Sequence, residues 1–235
     1  MRIIKAIFIK QFLSYFKKAA IIGTPLSFLG FGLVFTVFIP EADGAFGNLF
    51  GVMFVGLSMV GAAGSFIMED RATMNLRFMS MAGVKPYQYL LGTGTALFVS
   101  SIGFLIAFAL IGRNFAIADF TEFMAITILG SITSIIVGAT LALSKFPWLF
   151  QPVSMILGFG IILADANETI ERVFYFTYTQ QINIALRSGY EYEEGYGYIF
   201  TEAPNAIPII LANMAVAIVL FAIGNMRYGL YRDNQ

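Results

Sequence analysis

The chain has 235 residues, 58% of them hydrophobic and 12% charged, with zero formal net charge and a mean hydropathy of +0.80. Soluble domains carry about twice that share of charge, so composition excludes an ordinary globular class, and the balanced charge leaves no footprint for nucleic acid. The lack of Cys and His removes disulfides, thiolate and imidazole metal sites, haem ligation by either residue, and hydrolytic chemistry built on Ser–His or His-bound zinc.

Residues Met1 to Lys18 mix Arg2, Lys5, Lys10, Lys17 and Lys18 with bulky apolar side chains. Lys10, Ser14 and Lys17 share one helical face, and Phe8, Phe12, Tyr15 and Phe16 the opposite one, although Ile3 and Ile7 fall on the basic side. The pattern predicts an interfacial amphipathic helix; the alternative is a fixed end of the first transmembrane helix. Charges continue to Lys18 with no small-residue cleavage site behind an apolar core, so a signal peptide is not expected.

Six runs approach or exceed the ~20 apolar residues needed to cross about 30 Å of hydrocarbon. They are expected at about Ala19–Ile39, Phe46–Met68, Tyr87–Ile111, Phe120–Leu143, Trp148–Ala164 and Ala206–Asn225. The first stops at the turn-rich Pro40-Glu41-Ala42-Asp43-Gly44. The second contains Gly51, Gly56, Gly61 and Gly64, small residues that permit close helix approach in lipid. The fifth is short and interrupted by Pro152, Gly158 and Gly160. The expectation is an all-α polytopic membrane protein whose whole length, 1–235, forms one transmembrane domain.

Between the second and third runs lies a polar island, residues 69–86. Acids at Glu69 and Asp70 suit a first helical turn, Gly83 suits a C-cap, and Pro86 suits the first turn of the next helix. A short surface helix is predicted over Glu69–Ala82. Asp70, Thr73, Arg77 and Ser80 form its polar face. Ala72, Leu76 and Met79 form one apolar stripe, and Met74, Phe78 and Met81 a second. Two stripes imply two things to touch: the chain's own bundle and a partner.

With the N-terminus inside, 11 of the 14 Lys and Arg residues fall on the cytoplasmic side, leaving only Arg113, Arg172 and Arg187 outside. The positive-inside rule therefore places both termini and the 69–82 helix in the cytoplasm. The outer region 165–205 is too charged to cross, yet Val173, Phe174, Tyr175, Phe176, Tyr178, Ile182 and Leu186 are too apolar for a free loop. One or two helices dipping into the outer leaflet are expected, followed by an aromatic belt at Tyr190, Tyr192, Tyr196, Tyr198 and Phe200. Glu191, Glu193 and Glu194 lack the oxygen count and spacing of a calcium site. Asn167-Glu168-Thr169 fits a glycosylation sequon, a pattern short enough to arise by chance.

No G-x-x-x-x-G-K-[ST] occurs, so ATP is not expected to bind through a P-loop here. The predicted span interiors hold no Asp, Glu, Lys or Arg, unlike most ion-coupled carriers. Candidate pathway residues are Phe28, Phe31 and Phe35 in the first run, Met53 and Met59 in the second, and Gln151, Ser154, Met155 and Phe159 in the fifth. Met and Phe surfaces adapt to varied apolar partners.

An acidic span end, a helix, and then Met81-Ala82-Gly83-Val84-Lys85-Pro86-Tyr87-Gln88-Tyr89 turning into the next span resembles the permease subunits of ABC-2 type exporters. The six-span layout agrees with that family over nearly the whole chain. The resemblance implies that residues 1–18 form an elbow helix and that 69–82 is a coupling helix docking on a separate ATPase through Glu69, Asp70, Arg71, Met74, Arg77, Phe78 and Met81. It also implies re-entrant helices within 165–205 that cap the exit of the pathway. By the same resemblance the chain is no enzyme and holds no metal, with ATP and Mg on the partner. Two ATPase subunits and a second permease copy or paralogue would complete an exporter in the bacterial cytoplasmic membrane. Its cargo would be a hydrophobic or amphipathic peptide toxin, drug or lipid. An anchor or scaffold subunit without its own path, and a secondary carrier, are the alternatives.

Overall fold

A computed structural model describes residues 2–39, 45–112, 117–188 and 205–227, and every regular element among them is helical. In chain order these are α1 (Arg2–Lys17), α2 (Ala19–Phe38), α3 (Ala45–Met53), a π-helical turn (Phe54–Met59), α4 (Val60–Ala72), α5 (Asn75–Met81) and α6 (Pro86–Ile111). There follow α7 (Ile117–Leu143), a 3₁₀ turn (Pro147–Leu149), α8 (Phe150–Ala166), α9 (Glu168–Phe174), α10 (Tyr178–Ser188) and α11 (Ala206–Arg227). Six of these stretches are long and apolar enough to cross a membrane, which makes the chain a multi-pass membrane protein by length and composition. Pro152 lies in the first turn of α8, where a missing N–H is harmless, so the fifth span runs unbroken rather than interrupted.

The second span, α3 through α4, is the hub of the bundle. It is 78% buried, whereas α2 and α11 are each 17% buried and form the periphery. Glycine makes this centrality possible. At Gly138 of α7 an added Cβ would sit 2.4 Å from the Val60 carbonyl oxygen, so α4 and α7 touch backbone to backbone. Gly61 differs: its nearest neighbour would be the Ser154 hydroxyl at 3.9 Å, so it borders space instead of packing.

The π-helical turn in the middle of this span has a polar partner. Ser134 of α7 donates its hydroxyl to the Val55 carbonyl at 2.7 Å and meets the Tyr178 hydroxyl at 2.7 Å. Its single proton is committed to Val55, so Tyr178 donates to Ser134. Burial pushes the Tyr178 phenol above its ordinary range and keeps it a neutral donor.

α10, in the predicted outer region, is enclosed by α3, α7, α8 and α11 despite carrying Thr179, Gln180, Gln181 and Asn183. α9 before it is capped by Asn167, whose side-chain oxygen accepts from the Thr169 and Ile170 N–H groups at 2.8 and 3.3 Å. The sequon asparagine thus has a structural role. The belt tyrosines and Phe200, the Glu191–Glu194 cluster, Arg113 and the Pro40–Gly44 turn lie outside the described residues.

Candidate functional site

The polar island folds differently from a single helix over Glu69–Ala82. The second span continues to Ala72, carrying Glu69, Asp70 and Arg71 as its final turn. The chain then breaks at Thr73–Met74, where Met74 has φ 58°, in the left-handed region. α5 restarts at Asn75 and ends as expected at Gly83 (φ 75°). There the Gly83 N–H reaches the Ser80 carbonyl at 2.9 Å and the Val84 N–H the Met79 carbonyl at 3.0 Å, a Schellman closure. Pro86 opens α6, and the Gln88 side chain accepts the Lys85 N–H at 2.9 Å.

Of the two apolar stripes, Leu76 is buried, with Met79 half-buried behind it, in a cluster with Ile7, Ile67, Tyr89 and Leu143. The other stripe is bare: Met74, Phe78 and Met81 are 51%, 62% and 68% exposed. Arg77 is exposed beside them. Ala72 is also exposed and adds nothing to the buried stripe.

Asp70, expected on the polar surface, is instead buried at 4% exposure. Its Oδ1 accepts from Lys10 Nζ at 2.8 Å and Asn75 Nδ2 at 3.0 Å. Its Oδ2 accepts from Gln11 Nε2 at 2.6 Å and Tyr89 Oη at 2.8 Å. Next to it, Glu69 pairs with Lys18, whose ammonium also lies 4.1 Å from the centre of the Phe66 ring. Arg71 donates to the Ala142 carbonyl at 3.0 Å, in the last turn of α7, where a helix favours a cation. Asp70 and Arg71 are thus fastened within the bundle, while Glu69, though paired with Lys18, stays exposed, as do Met74, Arg77, Phe78 and Met81.

These contacts depend on α1, which packs along α6 with Ile7, Gln11 and Tyr15 buried. Gly92 of α6 admits it, since a Cβ there would lie 2.7 Å from Ile7. Ile7, untidy in the two-faced sequence pattern, therefore marks the packed side. Phe8, Phe12 and Phe16 stack on one another along the less buried side.

A chamber of about 370 Å³ lies between α2, the middle of the second span and α8. Thr24, Ser58, Ser65, Gln151 and Ser154 give it polar groups, and Ile21, Leu57, Phe150 and Met155 apolar ones, with Gly61 at its wall. The Ser58 hydroxyl, nine-tenths buried, has no hydrogen-bond partner. Among the nine pathway candidates the structure brings together only Gln151, Ser154 and Met155 here. Met53 and Met59 are buried in the main core. Phe28, Phe31 and Phe35 stack around Phe50, and Phe159 is 44% exposed on the outside of α8. Thr24, Ser58 and Ser65 escaped sequence reasoning because lone hydroxyls in apolar helices usually satisfy their own backbone. Their shared signal, one wall across two adjoining spans, needs the third dimension.

No protein-family model matches the chain, and a comparison with curated proteins finds none similar to it.

Proposed function

We propose that this chain is the membrane subunit of an ATP-driven exporter of the ABC-2 type, powered by a separate ATPase on the cytoplasmic side of a bacterial membrane. One observation carries the reading: a short helix between the second and third spans anchors one apolar stripe and leaves Met74, Phe78 and Met81 uncovered. Large apolar side chains side by side on such a helix mark a docking surface. Lys and Arg placement puts that surface inside the cell. Two permeases and two ATPases form the working assembly, and ATP-driven closure of the ATPases pushes on α5.

The chamber supports the same reading. It lacks any charged wall residue and mixes hydroxyls and one amide with apolar groups, which suits an amphipathic cargo without formal charge. The Ser65 wall and the Asp70 fastening sit on one helix, about 7.5 Å apart along its axis. Movement at α5 therefore has a short path to the chamber.

The test is co-purification with candidate ATPases and measurement of coupled hydrolysis. Replacing Met74, Phe78 and Met81 together by Asp should abolish association while leaving the permease folded. Unchanged association and hydrolysis would remove the docking assignment. Gly61→Leu, which fills the chamber, should stop cargo flux but spare ATPase binding; an anchor subunit would be indifferent to it.

A further inference from the structure

The link from α4 to α5 is weak along the chain itself. The Thr73 N–H still closes the last turn of α4 on the Glu69 carbonyl at 2.8 Å, and the left-handed turn at Met74 that follows breaks the helix and makes a hinge. A push on α5 cannot travel stiffly along the axis of α4 through such a break. What bridges it is Asp70. Asn75, the first residue of α5, donates to Asp70 across the break and also to Thr73 Oγ1 at 2.8 Å. The same carboxylate holds Lys10 and Gln11 of α1 and Tyr89 of α6. Gln11 and Tyr89 are buried at 2% and 0% exposure, so their bonds to this carboxylate are shielded from water.

From this convergence we propose that Asp70 is a positioning residue: it fixes the angle of α5 to the bundle and directs any motion of α5 into α1 and α6 together. The Ile7–Gly92 contact then keeps α1 and α6 moving as one body. The source of that motion rests on the exporter reading; the fastening itself does not. α1 is thereby a working part of the transmission and more than an anchor on the membrane surface.

The experiment measures distances between paired spin labels in liposomes, which the absence of native cysteine makes clean. One pair, Leu13→Cys with Ser80→Cys, joins α1 to α5 at exposed positions; a control pair, Val99→Cys with Ile132→Cys, joins α6 to α7. Asp70→Asn should broaden and lengthen the α1–α5 distribution and leave the control pair sharp. An α1–α5 distribution identical to that of the parent overturns the proposal. If Asp70→Asn also broadens the control pair, Asn75→Ala, which removes the bond to Asp70 across the break, decides by the same criterion. No ATPase is needed, so failure here is separate from failure of the exporter reading. With an ATPase bound, Asp70→Asn should keep association and lower transport per ATP hydrolysed severalfold; a purely structural defect would lower both.

Discussion

Gly138 and Gly61 separate two jobs that one residue type performs in this bundle. A methyl group at Gly138 would collide with the Val60 backbone, while one at Gly61 meets only ordinary contact distance. Gly138→Ala should therefore destabilise the purified protein by about 1–3 kcal/mol, as overpacking does, and Gly61→Ala should be close to neutral. Thermal unfolding in detergent compares them directly. The Tyr178–Ser134–Val55 relay makes a second asymmetric pair. Ser134→Ala leaves the buried phenol without its acceptor, for about 1–3 kcal/mol, and also removes the side-chain bond to the Val55 carbonyl. Tyr178→Phe leaves the Ser134–Val55 bond intact and should lose only about 0.5–1.5 kcal/mol. Equal losses in the two variants would contradict the donor order. None of this was legible in the sequence, where the two glycines look alike and Ser134 is one hydroxyl among several on α7.

Elements were more readable than their joints. The predicted span limits agree with the helices to within a few residues, because each limit is written locally by a proline, a glycine or a change from apolar to charged. Gly83 and Pro86 behave as their types demand, and within α5 Leu76 and Met79 turn inward while Phe78 and Met81 turn outward, whereas Ala72 falls outside this division. The Met74 break was invisible, since a methionine in the left-handed region has no sequence signature and is held there by its neighbours. Asp70 was misjudged for a related reason: a carboxylate in a polar run looks solvated until its partners, three of them 19 to 60 residues away, are known. The break offers a way to part stability from docking. Met74→Gly relieves a conformation that opposes a β-carbon by roughly 1–2 kcal/mol, against the extra backbone freedom glycine brings to the unfolded chain. The variant should unfold no earlier than the parent yet bind a partner ATPase more weakly. A lowered melting temperature would show that the Met74 side chain supports the fold instead.

For the molecule as a whole, sidedness is the property on which the proposed function stands or falls. A cysteine placed at exposed Arg77 should resist an impermeant thiol reagent in intact cells and react fully in inverted membrane vesicles. Labelling in intact cells would turn α5 toward the wrong compartment and away from any ATP-driven partner. The enclosure of α10 carries a further implication for biogenesis. Its threonine, glutamines and asparagine make it a poor candidate for insertion into lipid by itself, and the walls that shelter it include α11, which leaves the ribosome after it. Maturation of this part should therefore finish from the outside inward: the hydrophobic staves are laid down first, and the polar stopper settles among them only after α11 arrives. A nascent chain halted before Ala206 should leave the Gln180 segment open to protease, and extension through α11 should close it.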